Sequence, residues 1–236
     1  RAFHFSWIGS FLSFAVWFSV VPLLPEIMET LSFTKQQVWS STILALLGSM
    51  LLRCTLGPVC DTYGARGPMA LILICSAIPM ACLGLVNTLI GFYILRFFIG
   101  CSGGAFVINM CWCTDMFTKK VCGTVNGFAA GWGNVGMGAS ILFTGSVLFP
   151  LFKLGMSPEL AWRTVCIVPA LISAVFAIVV VKFSDDCPKG HYSEMKKMDH
   201  LAKSPLVQET YLFGQVRGIS THGSCLFNTP AVLVLN

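Results

Sequence analysis

Two strongly polar residues lie inside stretches of sequence that are mostly apolar. Arg53 occurs in "STILALLGSMLLRCTLG" and Asn134 in "NGFAAGWGNVGMGAS". A guanidinium offers five donors in one plane, so an arginine without an acidic partner is a natural site for a small anion. An amide in apolar surroundings also needs a hydrogen-bond partner, from a neighbouring helix or from a polar ligand. We therefore predict that Arg53 and Asn134 carry chemistry, with helix packing as the alternative for Asn134.

The glycines around Asn134 permit two interpretations. Their spacing in "GWGNVG" is that of a dinucleotide-binding loop, which needs a preceding strand, a following helix and an acid about 20 residues later. Here the run lies within a long apolar stretch, and the first acid after it is Glu159. The spacing instead favours close helix packing, with Gly127 and Gly131 as a GxxxG pair. Packing explains the glycines but leaves a substrate contact by Asn134 open.

The composition indicates the setting of these residues. The chain is 56% hydrophobic and 11% charged, and its mean hydropathy is +0.79. Soluble domains are about 25% charged, so this chain cannot build a surface that faces water. Six apolar segments are close to the roughly 20 residues that cross a bilayer. We predict an all-α membrane protein with spans at about 3–24, 38–59, 68–87, 89–112, 122–150 and 161–182.

The basic residues predict the orientation of these spans. If the N-terminus is cytosolic, the outer loops hold only Lys35 and Lys153, with Arg163 at the edge of the sixth span. The inner segments then hold Arg1, Arg66, Lys119, Lys120, Lys182, Lys189, Lys196, Lys197 and Lys203. Because cytosolic loops carry an excess of lysine and arginine, both ends of the six-span core are predicted to be cytosolic.

Two arginines lie within the predicted spans. Arg53 is about two turns inside the bilayer, where a charge needs a cavity or a partner, and the alternative is that it extends toward the cytosolic surface. "RFFIGCSGG" places Arg96, Gly100 and Gly104 at RxxxGxxxG spacing in the fourth span. The glycines predict close helix contact. We interpret Arg96 as structural, with its side chain extending toward the outer surface, and a contribution to the charge of a cavity as the alternative.

The stretch "GPVCDTYGARG" connects the second and third spans. It includes Gly57, Asp61, Gly64 and Arg66 in a short cytosolic turn. Asp61 and Arg66 are predicted to pair with each other or with the ends of neighbouring helices, as a latch that opens when two halves of a protein move. An ordinary solvated turn is the alternative.

The eleven cysteines do not indicate a disulfide framework or a metal site. Most lie in apolar stretches, no CxxC pair occurs, and we predict that they pack as small apolar residues. The sequence shows no metal-ligand cluster and no nucleophile–base pair at recognisable spacing, so we expect neither an enzyme nor a cofactor. The packing cysteines named by this prediction are Cys54, Cys75, Cys82, Cys101 and Cys166.

Several motifs resemble those of a known family. "GPVCDTYGAR" resembles the signature loop of the major facilitator superfamily, and "RFFIGCSGG" resembles its fourth-helix motif. "AAGWGNVGMG" resembles the more specific nitrate signature of the nitrate/nitrite porter family. The resemblance extends over roughly residues 3–200, and its first, fifth and sixth helices are similar to the eukaryotic members.

The resemblance implies a transporter of nitrate, with nitrite, that works by alternating access and is energised by protons. It also implies a multi-pass protein of the plasma membrane, whose partners are the lipid bilayer and an accessory membrane protein, and no nucleic acid. The substrate-binding arginine of the second helix maps onto Arg53, and the aromatic wall of the fourth helix onto Phe106. The fifth-helix signature maps onto Gly131, Gly133, Asn134, Gly136 and Gly138.

The chain also departs from the family pattern. Members have twelve spans, with a second substrate arginine in the eighth, whereas this sequence resembles only the first six. We predict a six-helix bundle over 1–183, as the N-terminal half of the fold, a cytosolic loop over 184–205 and a divergent segment over 206–236. A transporter of another small anion and a six-helix remnant without transport remain alternatives.

Overall fold

The computed structural model describes residues 2–185, and the regular structure in this range is helical. The predicted all-α membrane architecture is confirmed, because six helical stretches are long and apolar enough to cross a bilayer. The predicted spans were right in number and order, and the observed helices mostly extend them by a few residues. Spans 1 to 6 are Ala2–Thr30, Lys35–Tyr63, Arg66–Leu83, Leu89–Met116, Lys119–Lys153 and Pro158–Phe183.

Four of the spans are continuous only as a series of shorter helices, and in span 6 the division falls at Cys166. A 3₁₀-helix at Val21–Leu23 interrupts span 1, another at Cys101–Gly104 interrupts span 4, and a π-helix at Phe143–Leu148 interrupts span 5. The α-helices are α1 (Ala2–Ser19), α2 (Leu24–Thr30), α3 (Lys35–Tyr63), α4 (Arg66–Leu83), α5 (Leu89–Gly100), α6 (Ala105–Met116), α7 (Lys119–Leu142), α8 (Phe149–Lys153), α9 (Pro158–Val165) and α10 (Ile167–Phe183).

Local sequence signals set the ends of several helices. Thr34 begins α3 with a capping box, in which its hydroxyl accepts from the backbone N–H of Gln37 and the Gln37 side chain accepts from the N–H of Thr34. The Ser157 hydroxyl caps α9. Gly64 ends α3 with a φ of 80°, a conformation that glycine adopts at low cost. The turn between spans 2 and 3 is therefore only Gly64–Ala65, shorter than predicted, because Gly57 and Asp61 lie within α3 and Arg66 begins α4.

Helix α1 lies at the centre of the bundle and packs on α7, α6, α10 and α4. Helix α3 packs on α5, and α4 packs on α10. The buried core is mostly apolar and includes Trp17, Phe92, Trp112 and Trp162. Span 6 is the most hydrophobic, and its exposed side chains between Leu160 and Val181 are Ile, Leu and Val, as expected for a surface in contact with lipid. Spans 2 and 5 also expose large apolar side chains, together with the polar residues Arg53 and Asn134.

The backbones of α3 and α5 approach closely where they cross. A Cβ atom on Gly100 would overlap the backbone of Ala45, and one on Gly48 would overlap the carbonyl oxygen of Phe97. Close approach of this kind requires glycine, because any side chain would separate the helices. The contact that the RxxxGxxxG spacing predicts is therefore present at Gly100.

The prediction that the cysteines pack inside the bundle was only partly right. Cys166 is buried, whereas Cys54, Cys75 and Cys82 are exposed, and all nine cysteines in residues 2–185 are free thiols. In a membrane bundle the surface that faces lipid is as apolar as the core. An apolar stretch therefore does not indicate which of its cysteines face inward.

We predict that Gly100→Ala destabilises the protein by about 1–3 kcal/mol or more, because the added methyl group meets backbone that cannot move away. The matched control is Gly127→Ala in α7, where no atom of residues 2–185 lies within 4 Å of the new Cβ. Alanine is the better helix former, so the control should be neutral or slightly stabilising. Thermal unfolding of the detergent-solubilised protein measures both, and equal midpoints for the two variants would contradict the close contact.

Candidate functional site

Arg53 lies on the exposed side of α3 and is held by span 4. Its Nε donates a hydrogen bond to the carbonyl oxygen of Gly103, at 3.1 Å. Its guanidinium carbon lies 5.7 Å from the centre of the Phe106 ring, within the range of a cation–π interaction. Among residues 2–185 no carboxylate forms an ion pair with Arg53. The structure thus brings two of the predicted site residues, Arg53 and Phe106, into contact.

The 3₁₀-helix of span 4 supplies the acceptor for Arg53. It covers Cys101–Gly104, between α5 and α6, and departs from the i to i+4 hydrogen bonding of an α-helix. Glycine is needed here because a Cβ on Gly103 would overlap the side chains of Ser49 and Trp17. Ser49 precedes Arg53 by one turn of α3, so the same close approach brings Arg53 to the Gly103 carbonyl.

This geometry leaves the outer end of the guanidinium available. Nε is occupied by Gly103, and within the described part of the chain neither Nη atom has a hydrogen-bond partner. The two Nη groups carry four N–H donors in the plane of the guanidinium. A planar oxyanion can accept two parallel hydrogen bonds from such a fork. The arrangement can therefore bind a small oxyanion beside the ring of Phe106.

The glycine-rich run is divided between two faces of α7. The buried face follows Ala129, Gly133, Gly136 and Ser140. A Cβ on Gly136 would overlap the backbone of Phe11 in α1. One face of the run is therefore committed to packing against α1.

The other face of α7 carries Gly131, Asn134 and Gly138, all of which are exposed. No atom in residues 2–185 lies within 4 Å of a Cβ built on Gly127, Gly131 or Gly138. The predicted GxxxG contact of Gly127 and Gly131 is therefore not made by the described helices, because the buried face is rotated away from this pair. Asn134 has no hydrogen-bond partner among the described residues, and no hydrogen bond joins it to Arg53.

The side chain of Arg96 does not lie where the sequence predicts. Its side chain does not extend to the outer surface but is buried, with 1% of the residue exposed. Nη2 donates to the Thr42 hydroxyl at 3.4 Å, whereas Nε and Nη1 have no partner among the described residues. Span 2 covers it, since Thr42 belongs to α3, and this packing between spans is not visible in the sequence of span 4.

The predicted latch residues lie at one end of the bundle. An Nη atom of Arg66 donates to the carbonyl oxygen of Val181, near the end of span 6. This is a contact with the end of a neighbouring helix, which is one of the two pairings that the sequence left open. Gly57 in α3 and Gly104 differ in surroundings, since a Cβ on Gly57 meets open space and one on Gly104 meets the side chains of Leu56 and Ile72.

Sequence reasoning missed a buried polar residue in span 4. Asn109 is fully buried, and its side-chain oxygen accepts a hydrogen bond from the hydroxyl of Ser6. Its side-chain nitrogen has no partner in the described part of the chain. The argument that singled out Asn134, an amide within an apolar span, applies equally to Asn109 and would have found it.

Comparison with known proteins identifies the fold. The structure resembles that of a bacterial homologue of the human lysosomal transporter Spinster, in an inward-facing and unoccupied conformation, with a TM-score of 0.69. The likeness covers 80% of this chain and 44% of the other, at 17% sequence identity. At this identity the likeness shows the fold alone.

Sequence comparison finds similar proteins in plants and cyanobacteria. The chain is 33% identical to high-affinity nitrate transporter 2.3 of Oryza sativa subsp. japonica, over 86% of this chain and 39% of that protein. It is 36% identical to high affinity nitrate transporter 2.5 of Arabidopsis thaliana, over 84% of this chain and 39% of that protein. The nitrate/nitrite transporter NrtP of Nostoc punctiforme (strain ATCC 29133 / PCC 73102) is 26% identical, over 84% of this chain and 39% of that protein.

The chain thus spans about two fifths of the length of these relatives. The family model described as Major Facilitator Superfamily matches residues 6–234, which includes the segment that the sequence analysis set apart after residue 205. Six apolar helices in the described residues agree with that family. The chain is a multi-pass membrane protein, and it belongs to the Major Facilitator Superfamily.

Proposed function

We propose that this chain binds nitrate, and also nitrite, at Arg53 and takes part in its transport across the membrane rather than in catalysis. The observation that carries the proposal is an exposed guanidinium whose Nε is held by Gly103 and whose two Nη groups have no partner in the described residues. Nitrate is a planar monovalent oxyanion, so it matches the fork in shape and charge. The similar plant and cyanobacterial proteins are named as nitrate or nitrate/nitrite transporters, which supports the same substrate.

The proposed mechanism is alternating access coupled to protons. In such transporters two helix bundles rock against each other around a site at the bilayer midplane. The described residues form one bundle, and Arg53, Gly131 and Asn134 all lie on surfaces that this bundle leaves exposed. We propose that these surfaces face the substrate path, with Asn134 as a second polar contact. The contact between Arg66 and Val181 then belongs to the cytosolic end that opens and closes.

A second candidate function is transport of a different small anion. An exposed guanidinium beside a phenylalanine ring has no feature that accepts only nitrate. Competition of labelled nitrate uptake by nitrite, chlorate, formate and chloride distinguishes the two. Selective competition by nitrite and chlorate supports a nitrate/nitrite site, whereas equal competition by all four supports a general anion site.

We further propose that the protein occupies the plasma membrane with its N-terminus in the cytosol, together with lipid and an accessory membrane protein. In this orientation Gly155, exposed between α8 and α9, lies outside, and Lys120, exposed at the start of α7, lies inside. We predict that Gly155→Cys is labelled by a membrane-impermeant maleimide on intact cells, above the signal of the parent protein. The matched variant Lys120→Cys should be labelled only after permeabilisation, and the reverse pattern would contradict the orientation.

Arg53→Lys tests the anion site. Lysine keeps the charge but loses the planar fork and the bond from Nε to Gly103. Loss of one charge-assisted contact, about 1.5–3 kcal/mol, should raise the KM for nitrate roughly ten- to a hundredfold at equal surface abundance. The measurement is uptake of labelled nitrate by cells that otherwise lack nitrate transport.

The control for this substitution is Arg163→Lys. Arg163 donates to the Gly84 carbonyl and to Asn87 in the connection between spans 3 and 4, away from Arg53. The Arg163→Lys variant should keep the KM for nitrate of the parent protein. An Arg53→Lys variant with the parent KM would show that the charge alone suffices or that the site lies elsewhere.

A further inference from the structure

Three helices meet at one buried point beside the proposed site. Ser10 of α1, Asn109 of α6 and Gly133 of α7 are all buried there. Ser10 donates from its hydroxyl to the carbonyl oxygen of Ala105, at 3.2 Å, which ties α1 to the start of α6. We call Ser10, Asn109 and Gly133 the three-helix node.

Hydrogen bonds fix Asn109 within the node. Its side-chain oxygen accepts from the Ser6 hydroxyl and from the Cys113 thiol, the latter at 3.8 Å. Ser6 and Ser10 are one turn apart on α1, so the same face of α1 holds Asn109 and contacts Gly133. The asparagine is therefore anchored to α1 through its oxygen, which leaves its nitrogen directed elsewhere.

Gly133 fits closely into the space that this anchoring leaves. A Cβ on Gly133 would lie 3.0 Å from the Ser10 Cβ and 3.8 Å from the side-chain nitrogen of Asn109. That nitrogen has no hydrogen-bond partner in residues 2–185. A side chain at position 133 would therefore press on Ser10 and cover the free donor of Asn109.

The position of Gly133 determines where its neighbours point. Successive residues of an α-helix are about 100° apart around the axis, so seating Gly133 against α1 turns Asn134 away from the contact. Asn134 is accordingly exposed, and Gly131 is exposed on the same side. A small displacement of α7 at Gly133 would move Asn134 directly, because the two residues are adjacent on a rigid helix.

We propose that Ser10 and Asn109 are positioning residues, which seat Gly133 and thereby place Asn134 for contact with the transported anion. In this account Gly133 acts through helix packing and does not touch the anion. The inference rests on the proposed function for its effect on nitrate, but the packing itself is testable without transport.

The test is a double-mutant cycle in the full chain, with the variants Gly133→Ala and Ser10→Gly and the double variant that combines them. Ser10→Gly removes the Cβ atom that the new methyl group would meet. We expect Gly133→Ala to lower the thermal midpoint by about 2–4 °C, the scale of one misplaced core group in a domain of this size. We expect the double variant to unfold at the midpoint of Ser10→Gly, because the methyl group at position 133 then occupies the space that the Ser10 side chain has vacated.

Nitrate uptake distinguishes positioning from mere loss of stability. Gly133→Ala should raise the KM roughly three- to tenfold, the effect of weakening about one hydrogen bond to the anion, at unchanged maximal rate per surface molecule. The double variant should have the KM of Ser10→Gly alone. A role in stability alone would lower surface abundance and leave the KM unchanged. Asn109→Leu, similar in size but unable to accept from Ser6, should raise the KM without rescue by Ser10→Gly.

Gly131→Ala is the matched control, since no described atom lies within 4 Å of its Cβ. Its thermal midpoint should not fall, and Ser10→Gly should change the KM of Gly131→Ala by the same factor as it changes the KM of the parent protein. If the double variant has the midpoint of Ser10→Gly but a higher KM than Ser10→Gly, Gly133 contacts the anion directly and the inference is wrong. If it recovers neither, the node does not exist as described. A parent chain without nitrate uptake contradicts the proposed function instead, and the thermal cycle still decides the packing.

Discussion

A cation or an amide within a membrane must find a partner, because the hydrocarbon region offers none. This constraint explains the arrangement around Arg53. Span 4 changes from α-helix to 3₁₀-helix over Cys101–Gly104. The carbonyl oxygen of Gly103 in this segment accepts a hydrogen bond from Nε of Arg53. One donor of the guanidinium is thus satisfied by protein while its outer fork remains available. A charge held firmly on one side and free on the other is a suitable receptor for a small anion.

The same constraint gives different results at Arg96 and Asn109. Both are buried, and both retain nitrogen atoms without a partner in residues 2–185. Arg96 faces the contact between α3 and α5 and donates to Thr42, whereas Asn109 is anchored to α1 by Ser6. Arg96 and Asn109 are buried, whereas Arg53, Gly131 and Asn134 are exposed. Burial therefore separates the polar groups that hold the bundle together from those that are available to a substrate.

Much of the architecture was predictable from sequence because it follows from local properties. The lengths of the apolar segments located six spans, and the glycine spacing predicted the close contact at Gly100. Pairing of Arg53 with Phe106 was not predictable, because it depends on an interruption of span 4 that glycines permit but do not require. Which face of α7 is buried was also not predictable, since glycines lie all around that helix. Residue type indicated a need for a partner, and only the packing showed which partner met it.

The central claim is that the outer fork of Arg53 is the nitrate receptor. The most direct measurement is an experimental structure of the full chain with nitrate bound, at a resolution that places the anion. We predict nitrate within about 2.7–3.2 Å of both Nη atoms of Arg53, with Nε still donating to the Gly103 carbonyl and the Phe106 ring alongside. Nitrate bound at Arg96 or elsewhere, with the Arg53 fork facing lipid or paired with a carboxylate, would contradict it.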